Sequence, residues 1–357
     1  MSLPYLTSEL PGIGGVLRAT DEDFVVDEEP AYPPSGTGDH VFVRIEKRGL
    51  TTPAAVRAIA GALGVQDRDV GVAGMKDRHA VTTQWLSLPP PVSPEAARAL
   101  ELPGVRILEA TRHPHKLRTG HVRANRFRLR VRGLPAGAAP ELAARARAIL
   151  ERLAAPPGAP NWYGEQRFGK GGDNAARGRE LVTGTRRPGR DRRMDRLMVS
   201  ALQSELFNAW LVARVTDGLY GRVLAGDVLH KRGGGLFDCT DPDVDAPRLL
   251  AGEVVVTGPM FGDRMRRPAD GTPAAAREAA ILDAAGLAPG AFSQVRALAE
   301  GTRRDAAIPL ADAAAAAAGD ETVEVAFTLP GGAYATAIMR EVMKAEPEPP
   351  AQDAPAG

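Results

Sequence analysis

The sequence predicts a fold that mixes strands and helices, with one domain set inside another. Three observations carry this. The first half pairs short alternating strands with capped helices, the middle is dominated by one long helical pattern between loops, and "ETVEVAFTLPGGAYATAIMREVMK" near the end returns to strand, turn and helix. At 357 residues the chain exceeds one ordinary core, so about two domains are expected.

Each element follows from its pattern. Residues 39–47, "DHVFVRIEK", alternate apolar and polar side chains, the period of a half-buried strand. "TTPAAVRAIAGALG" then offers a Thr cap, Pro53 at an early helical position, and Val56, Ile59 and Leu63 on one face. "VTTQWLSL" and "GVRILEAT" read as strands, with "SPEAARALE" a short capped helix between them. In residues 121–132, Asn125, Phe127, Leu129 and Val131 share one face, while Arg126, Arg128, Arg130 and Arg132 form a guanidinium ladder on the other. "PELAARARAILERLAA" is an amphipathic helix, and "PPGAPN" after it marks the first domain boundary. Residues 191–215 place Met194, Leu197, Met198, Ala201 and Leu202 at helical spacing, the core stripe of a second domain. The Ala-rich "ADAAAAAAGD" predicts a helical or loose connector, and the tail "AEPEPPAQDAPAG" is too rich in Pro to pack. The expected domains are therefore 1–156 with 305–344 as one body, 157–304 inserted in it, and a disordered tail over 345–357.

Composition narrows the class. Hydrophobic residues at 44% and charged residues at 25% describe a soluble globular chain. The net charge of +1 hides a strong asymmetry. Residues 21–29, "DEDFVVDEE", are acidic, whereas 111–132 hold eight Arg or Lys and no acid, and "RRPGRDRRMDR" over 186–196 is basic again. The single Cys239 permits no internal disulfide and reads as a small apolar filler. The N-terminal stretch lacks the pattern of a signal peptide, and no window is apolar enough to span a bilayer, which predicts a cytoplasmic protein.

Several chemistries drop out. The six histidines are scattered without zinc-ligand spacing, so no metal site is expected. "GEQRFGKG" nearly matches a phosphate-cradling loop, but Gly171 stands where the magnesium-binding hydroxyl belongs. Either Glu165 and Arg167 make local contacts in that turn, or it faces a phosphate backbone. No GxSxG elbow occurs. What remains is "GMKDRHAVTTQW", where Asp77 sits between Lys76 and Arg78 in a glycine-containing turn ahead of a strand. Gly71 and Gly74 allow close backbone approach there, and a carboxylate flanked by cations can attack carbon or take a proton. Phe24, Phe127 and Phe327 supply stacking surface for a flipped base, and the basic ladder supplies phosphate neutralisation.

"GMKDRHAVTTQW" resembles the signature of the TruD family of tRNA pseudouridine synthases. "DEDFVVDEEP", "HKLRTGHVRANRF", "NWYGEQRFG", "SALQSELFNAWL", "GPMFG" and "FTLPGGAYATAIMRE" are similar to that family in the family's order. The resemblance implies a V-shaped, two-domain α+β molecule: a pseudouridine synthase catalytic domain around a mixed, largely antiparallel sheet, interrupted by a TruD-type α/β domain. It implies an isomerase that converts uridine to pseudouridine in tRNA, usually at position 13 in the D stem, with no cofactor and no metal. It makes Asp77 the essential carboxylate, Phe127 a candidate to stack on the base, Asn125 a hydrogen-bonding partner near Asp77, and Phe24 and Phe327 the lining of the slot. Lys76 would support either phosphate or Asp77, and Arg126, Arg128 and Arg130 would meet RNA phosphates. Strand parity also allows Phe127 a core role with Leu129 and Val131, and Asn125 can equally hold a structural turn. The implied partner is tRNA, with no membrane and no protein partner, and a monomer is expected. The rival reading is a noncatalytic RNA-binding or RNA-folding protein using the same basic cleft.

Overall fold

The computed structural model describes residues 3–169 and 171–345. The predicted disordered tail lies, but for Ala345, outside them. The chain divides into two units, one built on residues 10–151, 310–335 and 339–345, the other on residues 3–9, 152–309 and 336–338.

The first of these units is organised by one sheet. Across it run Ala311–Ala317, Val323–Pro330, Val122–Arg132, Phe24–Pro30, Val81–Leu88, His40–Arg48 and Val105–His113, with the short Val16–Leu17 and Gly71–Val72 attached at the side. Only Phe24–Pro30 and Val81–Leu88 run parallel; the other pairings are antiparallel. The sheet is mixed and largely antiparallel, within an α+β chain. Helix Thr52–Leu63 forms because Thr51 caps it, Pro53 opens it, and Gly64 ends it in the left-handed region at φ 67°. Its Ala55, Val56 and Ile59 bury against Val41, Val43, Ile45, Leu86 and Leu88 of the sheet. That contact defines a helix-covered face.

Register decides which side chains share this face, because residues paired across a ladder point the same way. Phe327 pairs Phe127, Phe127 pairs Val26, and Val26 pairs Thr82. Thr82 in turn pairs Lys47, two residues beyond Ile45. Phe24, Glu28, Asn125, Phe127, Phe327, Gln84 and Lys47 therefore lie on the helix-covered side. Arg126, Arg128 and Arg130 pair with Asp27, Val25 and Glu324 on the opposite side.

The Ala-rich segment corrects its expectation. Ala311–Ala317 is an edge strand, not a helix or loose connector. Alanine has low strand preference, but the ladder offered by Val323–Pro330 captures the backbone, and Ala315 is buried. Asp312 takes a left-handed conformation in the irregular step between Ala311 and Ala314.

In the other unit, Leu236–Asp238, Val228–Lys231, Val254–Met260 and Thr302–Asp305 form a second sheet. Helix Arg192–Thr216 lies close to it because Gly258 has no side chain: a Cβ there would stand 2.5 Å from the ring of Trp210 and 2.7 Å from that of Phe207. Met198, Ala201 and Leu202 are buried as the stripe predicts, but Met194 and Leu197 are exposed, and in the same turns it is Asp195 that is buried. Cys239 is buried, and burial together with Asp245 pushes its thiol up to about 12. Among the described residues no helix is long and apolar enough to cross a membrane.

Candidate active site

The loop carrying Asp77 is pinned from below by several polar contacts. Lys47, which strand parity turns to the covered face, is wholly buried, and its ammonium donates to the carbonyls of Asp77 at 2.6 Å and Leu50 at 2.7 Å. Burial pulls its pKa down to about 8, against the opposing pull of Asp77. The amide of Lys76 donates to Thr52 Oγ1 at 2.9 Å, whose hydroxyl donates to Gln84 Oε1 at 2.9 Å. The Lys76 ammonium lies 2.6 Å from Glu28 Oε2, both side chains buried, while Glu28 Oε1 accepts from the amide of Trp85 at 3.0 Å. Arg78 donates to the carbonyl of Gly49 at 3.1 Å.

Above this support the Asp77 carboxylate stands free to meet a ligand. Its side chain is 45% exposed, yet Oδ2 accepts from the guanidinium of Arg18 at 2.7 Å, and Arg18 is only 6% exposed. Arg18 reaches it from a left-handed backbone, φ 66°, and lies 3.9 Å over the ring of Phe24. Asp77 is thus oriented by a cation that is itself held on an aromatic face.

Beyond Phe24 the rings continue. Phe24 meets Phe127 edge-on at 6.3 Å, and Phe127 meets Phe327 at 5.4 Å. Phe24 and Phe327 are closed off by packing, and Phe127 is 7% exposed. Asn125, two residues before Phe127 on the same face, has a buried Oδ1 with no hydrogen-bond partner among the described residues. An orphaned acceptor in a folded interior is costly and calls for an explanation.

Not every predicted residue gathers here. Arg126, Arg128 and Arg130 project from the far side of the sheet, so the structure does not bring them to Asp77. Arg126 pairs with Glu29 at 2.7 Å and Arg130 with Glu324 at 2.9 Å. Of the two glycines, Gly71 is needed for close approach, since a Cβ would stand 2.3 Å from Ser87 Oγ and 2.4 Å from the carbonyl of Leu117. Gly74 is not, its nearest neighbours being 3.9 Å away. In the near-phosphate-loop segment, Arg167 makes local contacts, donating to Ser204 Oγ at 3.0 Å and to Ser200. Lys170 lies outside the described residues. Among those described, no group of three or more His, Cys, Asp or Glu is placed to hold a metal ion.

Arg18, Lys47 and Glu28 escaped the sequence reading. For two of them the signal was present: Lys47 continues the parity of Val41, Val43 and Ile45, and Glu28 that of Phe24 and Val26, each a charge on an apolar face. Arg18 left no such mark, because its role depends on a left-handed backbone.

Comparison with known proteins identifies the family. The family model described as tRNA pseudouridine synthase D (TruD) matches residues 1–187 and 190–342. A protein named tRNA pseudouridine synthase D from Anaeromyxobacter dehalogenans is 52% identical over 354 residues, covering 98% of both chains. One of the same name from Thermus thermophilus is 42% identical over 347 residues, covering 96% of this chain and 92% of the other. The crystal structure of a Methanosarcina mazei protein, provisionally named tRNA pseudouridine synthase D, superposes with a TM-score of 0.80 over 97% of this chain and 99% of that one. At 21% identity that likeness speaks for the fold alone. By the family match across its length and by these relatives, the chain belongs to the tRNA pseudouridine synthase D family.

Proposed function

We propose that Asp77 is the essential carboxylate in the isomerisation of a tRNA uridine to pseudouridine, and that the uridine is the one at position 13 in the D stem. Membership in the family makes the chain an isomerase acting on uridine in tRNA. The observation that carries the residue assignment is the pair of Asp77 and Arg18 set above Phe24, an accessible acid oriented by a buried cation on the aromatic face.

The chemistry follows from charge. As the bond between uracil N1 and ribose C1′ breaks, positive charge develops on the sugar, and the Asp77 carboxylate faces it. The base must turn within the slot and rejoin C1′ through C5, after which the C5 proton leaves and N1 takes one up. Retention of the loose base needs a surface and an anchor. Phe127, buried at 7% exposure between Phe24 and Phe327, is the ring assigned to stack on it; stacking on one aromatic contributes about 1–3 kcal/mol, comparable with the few kcal/mol needed to extrude a base. Asn125 Oδ1 accepts a ring N–H of the uracil, which accounts for its lack of an internal donor. Lys76, engaged with Glu28, supports the Asp77 loop rather than a phosphate.

The test is tRNA labelled with tritium at C5 of uridine. Wild type is expected to release the label, and Asp77→Ala to release none while binding tRNA with near-wild-type affinity. Turnover by the variant above background would remove Asp77 from the mechanism. Binding without release by wild type would favour a noncatalytic RNA-binding protein, and free uracil a glycosidase.

A further inference from the structure

Helix Asn174–Val182 is followed by an exposed run that leads into the first turns of helix Arg192–Thr216. This run carries Arg186, Arg187, Arg190, Arg192, Arg193 and Arg196. Arg186 lies 3.7 Å from Glu180. The other five are exposed and, among the described residues, form no ion pair. Neighbouring arginines of the same unit behave differently: Arg177 is held by Asp173, Arg179 by Glu205 and Arg214 by Asp227. The two acids within the run do not balance it. Asp191 accepts the amides of Arg193 and Met194 as the helix cap, and Asp195 is buried.

Like charges crowded in one surface patch repel, and cations in the first turn of a helix also oppose its dipole. Local stability therefore gives no reason for the arrangement. A polyanion would. Arg192 and Arg196, one helical turn apart, present guanidinium groups along one flank, and Arg187 and Arg190 extend the patch into the preceding turn. Planar guanidinium groups match phosphate oxygens in pairs. The exposed Met194 and Leu197 stand among them, but the same helix buries Met198, Val199 and Leu202 in its own core, so it has no broad apolar face to lay on a membrane.

We propose that residues 186–196 form a second RNA-binding surface, in the unit that does not carry Asp77, which grips the sugar–phosphate backbone of the substrate tRNA. The inference rests on the synthase reading for the identity of the RNA. It also locates phosphate contact on unpaired arginines, in contrast to the ladder, where Arg126 and Arg130 are engaged with carboxylates.

The experiment compares the full-length protein with the triple variant Arg190→Gln, Arg192→Gln, Arg193→Gln and with the charge-keeping triple of Lys at the same positions. Affinity for unmodified tRNA is measured by fluorescence anisotropy across a range of salt, and turnover by tritium release at saturating tRNA. Loss of three phosphate contacts lowers the slope of log affinity against log salt by about 2–3, and weakens binding roughly tenfold to a hundredfold near 0.15 M salt. The Lys triple keeps the wild-type slope, and all three proteins turn over alike when saturated. A Gln triple with wild-type affinity and slope overturns the inference while leaving the synthase reading intact. So does loss of binding to phosphatidylserine vesicles without loss of tRNA binding. Wild type that binds tRNA but releases no tritium removes the synthase reading instead, and the binding comparison still decides this one.

Discussion

Replacing Lys47 by Met separates what the buried ammonium costs from what it positions. Its pKa falls from 10.5 to about 8 on folding, chiefly through burial, a difference equivalent to about 3 kcal/mol against the folded state below pH 8. The folded value lies below the unfolded one, so the unfolded chain binds more protons between them and stability rises with pH across that window. Lys47→Met removes this term, but it also leaves the carbonyls of Asp77 and Leu50 without their donor, at about 1–3 kcal/mol for each one that stays buried. Near neutral pH the two effects offset one another, and the melting temperatures of the two proteins should lie close together. Toward pH 10.5 the wild type regains its ~3 kcal/mol and the variant does not, so the gap should widen by roughly 6–12 °C. Turnover should respond already at neutral pH, since displacement of a reacting group by about 1 Å can cost a hundredfold. The assays are thermal melts from neutral to alkaline pH and single-turnover tritium release. Parallel melting curves for the two proteins would refute the burial argument, and wild-type turnover in the variant would refute the positioning role.

Two further substitutions test the support of Asp77. Arg18→Gly relieves a left-handed backbone that disfavours any side chain by about 1–2 kcal/mol and removes the partner of Asp77, so stability should change little while turnover falls at least tenfold; a fully active, well-folded variant would exclude Arg18 from the site. Lys76→Met leaves Glu28 buried and unpaired, at a cost of about 3–5 kcal/mol. The double variant with Glu28→Leu should recover much of that stability in urea denaturation but not the turnover, and a double variant as fast as wild type would show that the pair only packs.

Much of the unit that carries Asp77 was legible because its period is simple. The alternation over residues 121–132 placed Phe127 with Leu129 and Val131 and set the arginines on the other face, and the register confirms that split. The same alternation shows why one expectation needed the structure. Phe127 and its neighbours Arg126 and Arg128 cannot face the same ligand, because successive residues of a strand point to opposite sides, yet sequence alone does not say which side receives Asp77. That came from Lys47 and the covered face. The Ala-rich edge strand was illegible for a different reason: its conformation is imposed by the neighbouring ladder and not by its own preferences. Met194 and Leu197 matched the helical stripe in spacing but are exposed while Asp195 between them is buried, a matter of tertiary packing that periodicity does not encode.

The distribution of charge around Asp77 explains why the site tolerates so many ionic groups. A buried ion pair is weak evidence of stability, since apolar side chains of similar size often serve as well or better. Lys76 with Glu28, and Lys47 on two carbonyls, are therefore poorly explained as devices for folding. They are well explained by position. Each fixes backbone or side-chain atoms within a residue of Asp77, through bonds whose loss would leave a buried group unsatisfied, so the loop has few alternative conformations of similar energy. The carboxylate itself can then remain half exposed and still be oriented, with Arg18 as its ion-pair partner and Phe24 behind that cation. Rigidity beneath and access above are separate requirements, and the sheet meets them with different residues: charged groups turned inward hold the loop, while the Asp77 carboxylate stays at the surface.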